Sequence, residues 1–201
     1  CINYTYYNHN YIRNMKKLIL LLVLATFACN NANSQKDETT SEISETEKSI
    51  SEENSKEKIN TALENWHKAA AEANFEEYFG LMTNDGIFIG TDATENWQNK
   101  EFREFSKPYF DKGKAWSFTT LVRNVYNQGT NNLAWFDELL STQMGICRGS
   151  GVMEKVDGAW KVKHYVLSIA IPNDDVAKVT EMKKQTDSLL ISKLEMNNEA
   201  K

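Results

Sequence analysis

The sequence predicts an α+β domain in which N-terminal helices pack on a curved antiparallel sheet around an internal cavity. Three observations carry that expectation. Ile59, Leu63, Trp66, Ala70 and Ala73 step along one face at helical spacing, on an alanine-rich body that favours helix. Residues 132–173 read as three consecutive strands, long enough to bury one face of a sheet. Between the last two stands Asp157-Gly158, a pair that supplies the positive φ angles of a two-residue hairpin turn.

Taken in order, residues 1–14 are Asn/Tyr-rich without periodicity and are expected to be upstream translation, with Met15 as the start. Met15-Lys16-Lys17 leads into the run Leu18–Ala28, apolar except for Thr26 and too short to span a bilayer, so 15–28 is expected to be a signal peptide. Thr26-Phe27-Ala28-Cys29 resembles a bacterial lipobox. The resemblance implies lipidation of Cys29, a membrane anchor, and a cell-envelope location. Asn30 is not Asp, which in that sorting pattern favours the outer membrane, and Gln35-Lys36-Asp37-Glu38 is similar to the export signal of Bacteroidetes surface lipoproteins. Residues 29–57 carry Ile43 and Ile50 as their large apolar side chains and are expected to form an acidic, disordered or transiently helical tether.

The folded unit is expected over 58–174, followed by a polar C-terminal helix or tail over 175–201. Asn74 ends the first helix and Phe75–Met82 makes a short second one. Asp85-Gly86 turns into a strand at Ile87–Gly90, and Thr91–Asn99 is a loop holding Trp97. Lys100–Lys112 is a third helix that Pro108 bends or breaks. Trp116–Tyr126 is a strand, closed by a turn at 128–131.

The hairpin sets a register. Lys155 faces Trp160, Glu154 faces Lys161 and Met153 faces Val162; continued without interruption, Gly151 faces His164, Gly149 faces Val166 and Cys147 faces Ser168. One face then carries apolar groups, His164, Ser168 and two glycines, the look of a pocket wall. Cys147 reads as a small buried hydrophobe.

Charge narrows the function classes. The formal net charge is -5, and residues 1–28 hold Arg13, Lys16 and Lys17 without any acidic group, so the remainder is more acidic still. Such a chain without a basic cluster argues against a nucleic-acid partner.

The ordered set Trp66-His67-Lys68-Ala69-Ala70, Asp85–Thr91, Trp97–Glu101, Ala134–Asp137, Asp157–Trp160 and His164–Ser168 resembles the NTF2-like superfamily, and within it the SnoaL-like branch. The resemblance implies a cone, a bent sheet around helices with a cavity inside, and often a homodimer through the sheet's outer face. The chain is also similar to the association domain of calcium/calmodulin-dependent kinase II, whose cavity is lined with arginines. The matching positions here hold Asp137 and Gly151, which argues against an anion site and toward neutral or cationic ligands.

The ligand-binding set expected from this is His67, Trp97, Tyr109, Trp135, Asp137, His164 and Ser168, with Trp135 and Asp137 taken as the inward face of their strand. Asp137 and His164 are the candidate catalytic residues, since a carboxylate beside an imidazole can move a proton next to a carbonyl, as in isomerases and cyclases of the superfamily. The same two groups can equally satisfy each other. His67, Asp137 and His164 have the composition of a metal-binding triad but none of its spacing, so no metal and no cofactor is expected. The reading is a lipoprotein that binds a small, partly apolar molecule without catalysis. Alternatives are a ketosteroid-isomerase-like enzyme and a dimeric adaptor without ligand.

Overall fold

A computed structural model of the protein describes residues 36–127 and 132–199. The expectations for 1–14, for the signal peptide 15–28, for Cys29 and for the turn at 128–131 lie outside the described residues. The chain divides into two units, Cys1–Ser41 and Glu42–Lys201, and the sheet with its helices lies in the second.

Helix α1 runs over Lys36–Ala71, so the stretch expected as a tether is helical from Lys36 on. Its later turns bury Ile59, Leu63, Trp66 and Ala70, the stripe read from the sequence. That anchored half supplies a nucleus onto which the Glu/Lys-rich half can add turns at little cost. Ala73 ends the run with a φ of 53°, and Asn74 N–H bonds back to Ala69 O at 2.8 Å. Asn74 then caps helix α2 (Phe75–Gly80) through its side chain, which accepts from Glu77 N–H at 3.3 Å.

Strand β1 (Met82–Ile89) starts earlier than expected, and β2 (Asn96–Gln98) forms within the stretch read as loop. Helix α3 (Asn99–Asp111) passes through Pro108 without ending. The Pro lies in the last turn, and the carbonyl it cannot bond belongs to the exposed Glu104, where water can serve it. Arg103 lays its guanidinium over the rings of Phe75 and Phe79 at 4.9 and 4.8 Å. Asn99 is buried, and its amide donates to Thr83 O at 2.8 Å, tying α3 to β1.

Four long strands follow: β3 (Thr119–Tyr126), β4 (Leu133–Thr142), β5 (Gly145–Val156) and β6 (Ala159–Ile169). The six strands form one sheet in the order β2-β1-β6-β5-β4-β3. The sheet is mixed rather than antiparallel, because β1 lies parallel to β6. This follows from connectivity: β1 leaves the helices and enters at the far edge of the meander, beside its last strand. Helix α4 (Val176–Glu199) buries none of its residues. A groove of about 690 Å³ runs between its Met182, Thr186 and Leu190 and the sheet residues Ile89, Val166 and Ser168.

Asp157 and Gly158 take φ angles of 50° and 83° as the turn requires. The pairs Lys155–Trp160, Glu154–Lys161 and Met153–Val162 form as expected, but there the agreement ends. A bulge leaves Lys163 without a partner on β5, so His164 faces Val152, Tyr165 faces Gly151 and Cys147 faces Ile169. The Lys163 ammonium bonds Asp85 at 2.6 Å and Glu154 at 3.1 Å, which holds the extra residue on the outside. Beyond the bulge the faces exchange. Tyr165 and Leu167 point into the core with Trp160 and Val162, while His164, Val166 and Ser168 lie on the outer face.

Candidate functional site

Two adjoining features stand inside the cone: a buried polar cluster and an aromatic pocket. The cluster begins with β4, where Ala134, Phe136, Glu138 and Leu140 are buried and Trp135 and Asp137 are not. The face taken as inward is therefore the outer one. Trp135 is 51% exposed and stacks on Tyr126, and Asp137 accepts bonds from Asn124 Nδ2 and Tyr126 Oη at 3.1 Å each. The Asp137 carboxylate in turn holds the Tyr126 hydroxyl above its usual pKa.

Glu138 is wholly buried and takes three hydrogen bonds. His67 Nε2 lies 2.8 Å from Oε1, and the Tyr165 hydroxyl donates to the same oxygen at 2.9 Å. Arg123 donates to Oε2 from Nε at 2.8 Å, and its Nη2, which donates to Thr120 Oγ1, pairs with the same carboxylate oxygen at 2.8 Å. His67 must present a proton at Nε2, since an ionised carboxylate can only accept. Each partner is placed by its element: Arg123 on β3 is the register partner of Glu138, and His67 lies on the buried face of α1.

Gly149 faces Glu138 from β5, and a Cβ there would overlap the Tyr165 hydroxyl and crowd Glu138 Oε1. The space opposite the glycines is thus occupied by Tyr165 and by the Phe136 ring at Gly151, and the void expected beside His164 does not exist.

Burial is the largest influence on the Glu138 carboxyl and raises its pKa. His67 and Arg123 together outweigh it, so the carboxyl sits below its usual range. Burial, reinforced by the Glu138 charge, pushes the Tyr165 phenol well above its ordinary value. A second arginine bond, Nη1 to Glu64 Oε1 at 2.7 Å, leaves the guanidinium between two carboxylates with its side chain 5% exposed. The interior does hold an arginine, but one already neutralised rather than open to an anion.

The pocket, of about 220 Å³, lies on the other side of two rings. Phe118 stands 5.8 Å from His67 and Phe88 5.6 Å from Tyr165, ring centre to ring centre, and both rings line it. Trp97, Phe102, Phe105 and Trp116 supply the remaining aromatic wall, and Gln143 and Met144 of the β4–β5 turn form part of the rim. Glu95 is the charged residue of the lining.

Of the residues expected from the sequence, His67 is in the cluster and Trp97 in the pocket. Tyr109 is 48% exposed and packs on Phe105 from outside the lining. Asp137 and His164 are on the outer face, so the two catalytic candidates do not meet His67, and the three cannot share a metal. Ser168 borders the groove beside α4. Sequence reasoning missed Glu138, Arg123, Tyr165 and Glu95. Opposite charges at cross-strand positions, each among apolar neighbours of its strand, were the available signal for Glu138 and Arg123.

The comparisons agree with this architecture. The family model of the SnoaL-like domain matches residues 59–172. No curated protein sequence matches the chain. An NTF2-like protein of unknown function from Pseudomonas putida aligns over 60% of this chain and 90% of its own, with a TM-score of 0.51 and 12% identity. The association domain of CaMKII from C. elegans aligns over 59% of this chain and 98% of its own, at a TM-score of 0.49 and 23% identity. At 12% identity the Pseudomonas putida structure speaks for the fold alone, and the family model for membership. The chain belongs to the SnoaL-like domain family.

Proposed function

We propose that this protein is a cell-envelope lipoprotein that binds a small, partly apolar molecule in its aromatic pocket and does not transform it. One observation carries the reading: the acid/base groups of the interior are engaged with one another behind the pocket wall. Both oxygens of Glu138 are engaged by His67, Tyr165 and Arg123, its pKa is lowered, and Phe88 and Phe118 stand between it and the pocket. A general base needs hydrogen-bond reach to the proton it takes, and this arrangement gives Glu138 and His67 none.

Native mass spectrometry of the purified chain should reveal a bound small molecule. Met144→Trp, which fills the pocket rim, should weaken that binding at least ~10-fold. Chemical conversion of the bound molecule by the unaltered chain would overturn the non-catalytic reading in favour of isomerase-like proton transfer.

The anchor rests on the lipobox-like Thr26–Cys29 and the run before it. Cys29→Ala should shift the protein from the membrane pellet to the soluble fraction, and continued sedimentation with membranes would defeat the assignment.

The homodimer through the sheet is supported by its outer face. Leu121, Val122, Tyr126, Leu133 and Trp135 are exposed on neighbouring strands β3 and β4, a patch of the kind that marks an interaction surface.

A further inference from the structure

We infer that the ligand of the aromatic pocket is an organic cation, a substituted ammonium group of fragment size. The inference rests on the proposal that this pocket binds a small molecule, and it adds the ligand's charge.

The first ground is the composition of the wall. Six aromatic residues line about 220 Å³, less than the roughly 300–1,000 Å³ that hold drug-sized ligands. Trp97 stacks on Phe105 at 4.5 Å and on Phe102 at 5.6 Å, and Phe102 stacks on Phe88 at 4.2 Å. Such a panel carries the negative quadrupole that attracts a cation, and the attraction grows where water is excluded.

The second ground is Glu95, the charged member of the lining. Its Oε2 accepts the Asp92 N–H at 3.2 Å, which fixes the carboxylate, while Oε1 has no hydrogen-bond partner among the described residues. No Lys or Arg among the described residues forms an ion pair with it. Gly90 makes the placement possible: a Cβ there would overlap Glu95 Oε2 and drive the carboxylate from the wall. A neutral apolar ligand would strip water from this carboxylate and return nothing, whereas an ammonium group would replace that water with an opposite charge.

The loop adds a second negative charge. Asp92 accepts from the Thr94 hydroxyl and N–H at 2.6 and 2.8 Å, bonds that hold its carboxyl below the usual range.

The test uses the full chain and two probes of equal shape: choline, and the neutral alcohol in which carbon replaces its nitrogen. Binding is followed by calorimetry and by the fluorescence of Trp97 and Trp116. Choline should bind about tenfold more tightly than the alcohol. Glu95→Gln should remove most of that preference, through weaker binding of choline and no weaker binding of the alcohol. Gly90→Ala, which keeps the carboxylate but displaces it, should do the same. Equal affinity for the two probes in the unaltered chain, or a full preference surviving in both variants, would overturn the cation assignment and leave small-molecule binding standing. Failure of both probes, with no small molecule bound by any route, would overturn the pocket reading itself.

Discussion

Glu138→Gln is expected to destabilise the fold by about 3–5 kcal/mol, the usual result of removing one partner from a buried ion pair. The amide replaces one acceptor oxygen with two donors. Whichever way it turns, those donors face either the Arg123 guanidinium or the His67 and Tyr165 donors. Glu138→Ala should cost a similar amount, leaving Arg123 with Glu64 as its remaining carboxylate. Urea denaturation measures both, and a loss under about 1 kcal/mol, the worth of an exposed pair, would show the cluster is not the keystone described.

The same cluster predicts a pH dependence with a definite sign. The folded carboxyl has a lowered pKa, so its stabilisation is fully present above the unfolded value, near ~4.3 for Glu, and is lost as pH falls through the folded value. The unaltered protein should therefore lose stability progressively below about pH 4. Glu138→Gln should lack that part of the slope.

The second large effect concerns association. If the chain pairs through the outer sheet face, Trp135→Glu should weaken the dimer by at least ~30-fold, equivalent to a hot-spot loss of about 2 kcal/mol or more. The indole stacks on Tyr126 at 5.9 Å, and its register partner on β5 is Val152, so a charge there falls among apolar neighbours. Sedimentation velocity across a concentration series reads the result. The fold should survive the change, because the side chain is half exposed in the single chain. An unaltered dimer in the variant would move the interface elsewhere, and a monomeric parent would remove it.

The sequence carried the architecture further than it carried the site, and the residues show why. Helical spacing from Ile59 to Ala70 and the Asp157-Gly158 turn are local signals, decided by atoms within a few residues, and both hold in the structure. The inward face of β4 is not local. Trp135 and Asp137 alternate with Phe136 and Glu138, so each face offers one aromatic and one acid, and Arg123 on the neighbouring strand β3 distinguishes them. The parallel pairing of β1 with β6 is less local still, joining residues some eighty positions apart. Glu95 was hidden differently: it lies in a loop, where no periodicity reports which way a side chain turns. His67 was legible because it sits beside the buried stripe that helical spacing defined, whereas Trp97, in the same expected loop as Glu95, came from the family resemblance.

The extra residue at Lys163 has a consequence for descent within this family. It acts as a spatial frameshift: the composition of the strand is unchanged, but the parity that sorts residues into lumen and exterior is inverted downstream. With it, Tyr165 closes on Glu138 and the imidazole of His164 is outside. The same residues paired without the bulge would bring His164, Val166 and Ser168 indoors and turn the phenol out, whereas loss of Lys163 itself would leave a regular strand with the faces as they are. Which groups stand inside such a cone is thus set by one step of pairing, with every side chain still present in the gene.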